Sequence, residues 1–421
     1  MGIPSTVLEL AAYCRREGIS RLRVVADENT WAAFGEAVAT GLRSSGLAAT
    51  ETIFPKGVEA DEKALGFLLS EESEEPAALA AVGSGTITDI ARFYASRMRL
   101  PFFSLPTAAS VDAYASSVAA MSLGGAKRTV NAIPPRAIFV DTEVLRAAPP
   151  AMTAAGFADT ICKFGALADW RLGALVWGEA YDEPIASRSK AAAESCAAAA
   201  DLVGRRELRG IEILIEALLE SGRAMSLAGH SRSASGAEHH LSHYWEMALS
   251  REGLPPLLHG LKVGVATVMM AELWERIGTI SAAEATKRLD GFGSAGIEAI
   301  ASDEGTLLRE FGKAGPAIIA TQRRFLGLDA AGLAALKESI LHNWYDIRGI
   351  AASVPGSAET IELLERAGCP TRPIELGLDR RLVEGAWRFG HCLRDRFTVR
   401  RLAAFLGVDA IPERALGPDP G

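Results

Sequence analysis

Short apolar runs alternate with longer helical stretches through segment 1–150, and this order constrains the fold more than any other feature. Five of the runs indicate buried strands, and helical spacing, for example over 30–45 and 86–98, separates most of them. The order predicts a parallel sheet with crossover helices, whose ligands bind at the carboxyl ends of the strands. The predicted strands are 21–27, 50–55, 78–84, 101–107 and 136–142.

The pattern changes after the segment AAPPAMTAAGF, residues 147–157. Beyond it Ala, Leu and Glu dominate, and helical spacing persists almost to the end of the chain. We therefore expect an α/β domain over 1–150 and an all-α domain over 151–421, with the boundary near Pro149 and Pro150.

The net charge and the cysteine content indicate which kinds of partner and which cellular compartment to expect. Lys and Arg total 44 against 52 for Asp and Glu, a net charge of -8 without a basic block, so we expect no nucleic-acid partner. Five widely spaced cysteines without a CxxC pattern indicate neither a disulfide framework nor a thiolate zinc site. Because the N-terminal residues lack a charged leader with an apolar core, and no uninterrupted apolar run is long enough to span a bilayer, we predict a cytoplasmic protein without a membrane segment.

A glycine-punctuated turn, AVGSGTITDI at 81–90, follows the third predicted strand. Gly83 and Gly85 stand where that strand ends, and a helix begins near Thr86. Backbone amides at a helix start, with no side chain in the way at glycine, suit a pyrophosphate. The pattern is GxGxxxD rather than the GxGxxG fingerprint, so a plain strand-to-helix turn explains it equally well.

A second loop, LPTAASVDAYASS at 105–117, follows the fourth predicted strand. Its hydroxyl and carboxylate side chains are Thr107, Ser110, Asp112, Ser116 and Ser117. Two loops of small residues at adjacent strand ends predict a binding crevice. The alternative is that these Ser and Thr residues only cap helices.

Four of the seven histidines fall within the short segment 239–259. On a helix His239 and His243, four residues apart, share a face, whereas His240 points about 100 degrees away. His259 stands near the start of the next predicted helix, so two antiparallel helices would bring it to His239.

Asp159, in AAGFADTICKF, offers a third donor, with Lys163 four residues later. Two neutral imidazoles and one carboxylate make a three-ligand site for a divalent metal with positions open to substrate. The alternative is that the histidines only pack helices or face solvent.

Six segments carry a resemblance to a known family. In order they are VVADENT, GSGTITDIARF, PFFSLPTAASVDAYASS, MTAAGFADTICK, GAEHHLSHYWE and HGLKVGVAT. Together they resemble the glycerol-1-phosphate dehydrogenases, above all the bacterial AraM-type branch, within the superfamily of iron-containing alcohol dehydrogenases, glycerol dehydrogenases and dehydroquinate synthases. The resemblance runs from about residue 20 to about residue 407. It implies a dehydroquinate synthase-like fold, in which a Rossmann-like domain precedes a helical metal- and substrate-binding domain.

The activity that the resemblance implies is reduction of dihydroxyacetone phosphate to sn-glycerol 1-phosphate by NAD(H) or NADP(H). Its implied dinucleotide-binding residues are Gly83, Gly85, Thr86, Ile87, Thr88, Asp89, Thr107, Ala108, Ala109, Ser110 and Ser116. Its implied metal ligands are Asp159, His239 and His259. Asp112, Asp159 and His243 are implied to bind substrate, and the expected catalytic residues are His243, Asp112 and Lys163.

The branch carries Lys where the iron alcohol dehydrogenases have a fourth ligand, and Lys163 fits that pattern. The resemblance therefore implies one divalent metal, zinc or nickel in preference to iron, and a homodimer. We expect Lys163 to meet the substrate phosphate, the alternative being that it pairs with a nearby carboxylate. Lys127 and Arg128 are the next candidates, although an ordinary solvated turn explains that pair better. Three rival functions stay open: a polyol dehydrogenase, a dehydroquinate synthase-like lyase, and a nucleotide-binding partner without turnover.

Overall fold

The computed structural model describes residues 3–70, 76–124, 126–292 and 303–416. The chain divides into two compact units. The first contains Met1–Gly156 and Asp201–Gly229, and the second contains Phe157–Ala200 and His230–Gly421. A segment beyond residue 150 thus returns to the first unit. The prediction of separate domains at 1–150 and 151–421 stays a prediction. None of the helices in the described ranges is long and apolar enough to cross a membrane.

The first unit is built on a five-stranded parallel sheet, as the alternation of apolar runs predicted. Its strand order is β2-β1-β3-β4-β7, so the chain starts in the interior of the sheet, moves to one edge and then crosses to the other side. Two further strands, β5 and β6, form an antiparallel hairpin that the sequence did not predict. The strands are β1 Arg21–Asp27, β2 Ala48–Phe54, β3 Ala78–Gly83, β4 Phe102–Pro106, β5 Val118–Leu123, β6 Ala126–Asn131 and β7 Ala137–Ile138.

Both faces of the sheet are covered by helices, which explains why its strands are apolar runs without polar alternation. Val24 and Phe103 face one apolar layer, whereas Val25 and Phe102 face the other, because successive side chains of a strand point to opposite sides. The helices are α1 Ser5–Arg16, α2 Glu28–Thr30, α3 Glu36–Ser44, α4 Glu62–Ser70, α5 Gly85–Met98 and α6 Thr142–Ala147. A π-helical turn, Trp31–Gly35, joins α2 to α3.

Three more helices join or follow this unit. Helix α7, Pro150–Ile161, passes from the first unit into the second. Helices α10, Ala200–Gly204, and α11, Leu208–Ala228, belong to the first unit. α11 buries Leu214, Leu218 and Gly222 along one side.

The second unit is helical around one large apolar core, as predicted for the later part of the chain. Leu241 and Trp245 of α12 pack in this core with Val265 and Met269 of α13. Its helices are α8 Lys163–Trp177, α9 Glu183–Ala198, α12 Ala237–Arg251, α13 His259–Thr279, α14 Ala282–Gly291, α15 Glu304–Phe311, α16 Gly315–Leu326, α17 Ala330–His342, α18 Trp344–Ser353, α19 Ser357–Arg366, α20 Arg380–Phe389 and α21 Val399–Phe405.

A buried carboxylate positions the histidine-bearing helix in this core. Asp169 of α8 accepts hydrogen bonds from the backbone N–H of Ala237 at 2.7 Å and of Val399 at 2.6 Å. These donors lie in the first turns of α12 and α21, where N–H groups have no partner inside the helix. Asp169 therefore fixes the start of α12 two residues before His239.

Candidate active site

The glycine turn lies at the carboxyl end of β3 and opens α5. A Cβ atom added at Gly83 would stand 2.6 Å from the Cβ of Ile87, so only glycine fits beside that side chain. The Ser84 side chain makes no capping hydrogen bond to the described chain. The N–H groups in the first turn of α5 are thus left for another acceptor, which is what an anion at a helix start requires.

Asp89 is 6% exposed, and its carboxylate binds other parts of the first unit. Oδ1 accepts from Arg92 at 2.8 Å and Oδ2 accepts from the backbone N–H of Ala120 at 3.2 Å. Arg92 in turn donates to the carbonyl oxygens of Ala113, at 2.5 Å, and Val118, at 2.8 Å. The pair joins α5 to the loop around Asp112, so the observed contacts give Asp89 a structural role beside its predicted dinucleotide contact.

The second predicted loop runs beside the glycine turn, because the Thr107 N–H donates to the Gly83 carbonyl at 3.2 Å. Ser110 Oγ lies 3.4 Å from the Tyr114 hydroxyl, and Ser116 Oγ accepts from the backbone of Val118 at 3.1 Å. Residues 105–110 and 114–116 of this loop are buried, whereas 111–113 and 117 are partly exposed. The side chains of Ile87, Thr88, Ala108 and Ala109 are also buried.

Asp112 begins a short 3-10 helix, Asp112–Ala115, and is only partly buried. Its Oδ2 accepts a hydrogen bond from Ser221 Oγ of α11 at 2.8 Å. Sequence reasoning missed Ser221, since the two positions lie far apart in the chain. The contact is one of those that hold α11 in the first unit.

Asp159, His239 and His259 converge in the second unit. Each offers one ligand atom, and these atoms all lie within 4.8 Å of one another. His239 Nε2 is 3.6 Å from Asp159 Oδ1, and the ring centroids of His239 and His259 are 5.2 Å apart. α7, α12 and α13 therefore bring together the three residues that were predicted as metal ligands.

The hydrogen bonds of the two histidines fit a metal centre. His239 Nδ1 lies 2.8 Å from Glu238 Oε1, and His259 Nδ1 lies 3.1 Å from Glu246 Oε1. In each ring Nδ1 donates to a carboxylate, and Nε2 remains to bind a cation, the arrangement usual for metal-ligating imidazoles. The donor set of two nitrogens and one carboxylate oxygen suits zinc, nickel or iron.

Lys163 is buried against Asp159. Its Nζ donates to the Asp159 carbonyl at 2.5 Å and stands 3.8 Å from Oδ1, and both side chains are 1% exposed. Burial acts to raise the pKa of Asp159, but the charge of Lys163 outweighs this effect and holds that pKa below its usual range. The carboxylate is therefore ionised and ready to bind a cation. The side chains of Lys127 and Arg128 lie outside the residues described.

His243 lies one turn beyond His239, and its ring stacks at 5.5 Å on that of His259. Its Nδ1 is 3.1 Å from Glu246 Oε2. Burial lowers the pKa of His243 to about 3, against the opposing effect of Glu246, so the ring is neutral at neutral pH. Sequence reasoning missed Glu246, although its position three residues after His243 on a helix was a usable signal.

His240 points away from this cluster, as its helical position predicted. It is 1% exposed, and neither ring nitrogen has a hydrogen-bond partner among the described residues. Burial holds the pKa of His240 well below its usual range, and the charges of Arg396 and Arg394 act in the same direction. The imidazole is therefore a neutral core residue.

Comparisons with known proteins agree with these features. A family model described as iron-containing alcohol dehydrogenase matches residues 3–149. A glycerol-1-phosphate dehydrogenase of Geobacillus stearothermophilus, named as NAD(P)+-dependent, is 35% identical over 93% of this chain and 88% of its own. The enzyme of the same name from Geobacillus thermodenitrificans is 33% identical over the same shares.

A glycerol dehydrogenase from Schizosaccharomyces pombe has a similar solved structure, with a TM-score of 0.60. The likeness covers 96% of this chain and 87% of that chain at 18% identity, and it shows the fold. It supports the predicted dehydroquinate synthase-like architecture. Because the sequence similarity extends over nearly the whole length of both partners, the chain belongs to the glycerol-1-phosphate dehydrogenase family.

Proposed function

We propose that this chain reduces dihydroxyacetone phosphate to sn-glycerol 1-phosphate with NADH or NADPH, using one divalent metal. The observation that carries the proposal is the convergence of Asp159, His239 and His259, each with a ligand atom within 4.8 Å of the others, in a chain of this family. The reaction transfers a hydride from the reduced nicotinamide to C2 of the ketone and a proton to its oxygen.

In this proposal the residues of the site have separate roles in the reaction. Asp159, His239 and His259 hold the cation, which when bound supplies Lewis-acid stabilisation of the charge that develops on the ketone oxygen. His243, neutral and partly exposed, exchanges the proton between that oxygen and solvent. Asp112 accepts a hydrogen bond from a substrate hydroxyl and orients the ketone for hydride transfer. The first turn of α5 binds the pyrophosphate of the dinucleotide.

Zinc or nickel is the proposed metal, because Lys163 stands where iron enzymes of the superfamily have a fourth ligand. Lys163 is also the proposed contact of the substrate phosphate. A phosphate contact predicts that Lys163→Met raises KM for dihydroxyacetone phosphate more than KM for dihydroxyacetone, since the lost charge beside Asp159 affects the metal site for both ketones. An equal change for both ketones rejects that role.

A coupled assay tests the function. Protein stripped with EDTA is reconstituted with zinc, nickel or iron, and oxidation of NADH and NADPH is followed with each of the two ketones. We expect activity with the phosphorylated ketone that EDTA removes and zinc or nickel restores. Faster turnover of dihydroxyacetone would indicate a polyol dehydrogenase, and turnover of a different substrate without net nicotinamide oxidation would indicate a lyase.

The assembly and the compartment are part of the proposal. We infer a homodimer, as the family resemblance implies, and a location in the cytoplasm, as the widely spaced cysteines indicate. Sedimentation velocity at micromolar protein measures the assembly directly, and a single species at the monomer mass of 44.5 kDa rejects the dimer.

A further inference from the structure

One carboxylate serves two histidines of the candidate site. Glu246 Oε2 lies 3.1 Å from His243 Nδ1, and Glu246 Oε1 lies 3.1 Å from His259 Nδ1. His259 is a proposed metal ligand, whereas His243 is the proposed proton-exchanging group. The two roles thus depend on the two oxygen atoms of one side chain.

The hydrogen bonds decide which nitrogen of each ring carries the proton. A carboxylate only accepts, so both imidazoles donate through Nδ1 and keep a lone pair on Nε2. That lone pair is what a metal ligand needs at His259, and at His243 it is the position that takes a proton from solvent and passes it to the ketone oxygen. Without the carboxylate, both rings would lose the hydrogen bond that favours the Nδ1–H tautomer.

Lys262 holds the carboxylate in place. Its Nζ lies 3.3 Å from Glu246 Oε1 and donates to the Leu257 carbonyl at 2.7 Å, and its side chain is 1% exposed. Leu257 lies in the connection between α12 and α13, two residues before His259. The lysine therefore connects Glu246 to the segment that sets the position of His259.

We propose that Glu246 is a positioning residue that fixes the tautomer and orientation of His243 and His259 together, and so couples metal affinity to proton exchange. The inference rests on the proposed function, because it takes Asp159, His239 and His259 as the metal ligands. One alternative has a different signature: Glu246, His243 and His259 also have ligand atoms within 4.8 Å of one another, so Glu246 would itself ligate a second cation.

Two variants test the positioning role. Glu246→Gln keeps the size of the side chain but offers a single acceptor oxygen, so at least one imidazole loses its partner. Glu246→Asp keeps the charge but withdraws the carboxylate by one methylene. Glu272→Gln is the matched control, since Glu272 of α13 is also about three-quarters buried and pairs with Arg276, away from the histidines.

The readouts are zinc affinity by competition with a chelator, and imidazole tautomers by 15N-histidine NMR of the metal-free protein. We expect both Glu246 variants to bind zinc about 10- to 100-fold more weakly, as is usual when a carboxylate behind a metal-binding histidine is lost. At least one ring should leave the Nδ1–H tautomer in Glu246→Gln. The control should match the unsubstituted protein in both measurements, and thermal unfolding shows whether each variant is folded.

Three results separate failure of this inference from failure of the proposed function. Wild-type zinc affinity in folded Glu246→Gln overturns the positioning role. Wild-type zinc affinity in Glu246→Asp overturns it too, because the charge of the side chain alone would then be sufficient. Two zinc ions per unsubstituted chain, with one lost in Glu246→Gln, makes Glu246 a ligand instead. If the unsubstituted protein binds none of zinc, nickel and iron, the proposed function itself is rejected.

Discussion

His239 Nε2 lies 3.6 Å from Asp159 Oδ1, although the two residues belong to helices far apart in the chain, α12 and α7. We expect His239→Ala to abolish tight zinc binding and to lower turnover by at least about 100-fold, because a three-ligand site loses one of its nitrogens. Zinc content after dialysis, together with the initial rate of ketone reduction, checks this. Full activity in zinc-free His239→Ala would mean that the trio does not hold the working metal.

His240, the residue after His239, is expected to affect the pH dependence of stability. Its folded-state pKa lies below the unfolded value of about 6.5, so the unfolded chain binds a proton there that the folded chain does not. The free energy of unfolding should therefore fall, by up to about 1.4 kcal/mol per pH unit, as the pH drops below 6.5. Burial causes this shift, and the facing charges of Arg396 and Arg394 add to it.

His240→Leu should remove that share of the pH dependence and leave zinc affinity unchanged. Urea unfolding at pH 8 and pH 5.5, with EDTA present throughout, measures the difference between variant and parent. All other titratable groups are present in both proteins, so the difference isolates His240. An identical pH dependence in the two proteins would show that the buried ring finds a partner for its proton.

Lys163→Met should destabilise the metal-free protein by about 3–5 kcal/mol, because Asp159 would be left as a buried charge without its cationic neighbour. A bound cation restores positive charge beside the carboxylate, so the loss should shrink when zinc is saturating. Unfolding with zinc and with EDTA gives both values. An equal loss under the two conditions would reject the compensation.

Arg92→Met should weaken dinucleotide binding although Arg92 is fully buried. Removal of one partner of the buried pair with Asp89 costs about 3–5 kcal/mol, and it releases the carbonyl groups of Ala113 and Val118 that position the Asp112 loop. We expect a higher KM for the nicotinamide cofactor together with a lower unfolding temperature. Arg97→Met, at an exposed position of the same helix, is the control. An equal rise in KM in that variant would show that loss of the buried pair is not the cause.

Gly83→Ala should destabilise the protein by about 1–3 kcal/mol, since the added Cβ would meet the Ile87 side chain at 2.6 Å. Ile87→Ala in the same chain should recover part of that loss beyond what the two single changes predict. Gly66→Ala, in α4 with open space at the Cβ position, should instead stabilise by about 0.5–1 kcal/mol. A neutral Gly83→Ala would mean that Ile87 moves freely.

Local sequence pattern predicted the sheet and the approach of His239 to His259, because both depend on short-range signals. Apolar runs marked β1, β3 and β4 closely, and helical spacing put His239 on the face that meets His259. The hairpin of β5 and β6 was missed, since its strands carry polar and small residues without a clear alternation.

Contacts between distant segments could not be predicted from short-range sequence patterns. The links of Asp112 to Ser221 and of Asp89 to Ala120 depend on packing across the first unit. A role that is predicted from residue type alone therefore becomes specific only when the contacts of that residue in the folded chain are known. Asp89, for instance, was expected at the dinucleotide and is seen bound to Arg92.

The return of α10 and α11 to the first unit limits how this protein can be recombined with its relatives. Since the chain passes between the units at residues 156–157, 200–201 and 229–230, no single crossover point exchanges one unit whole. A chimera that imports only segment 1–150 would separate Asp112 from its native Ser221, and with it the support of the proposed substrate contact. Homologous exchange in this family is thus expected to succeed when 201–229 travels with the N-terminal segment.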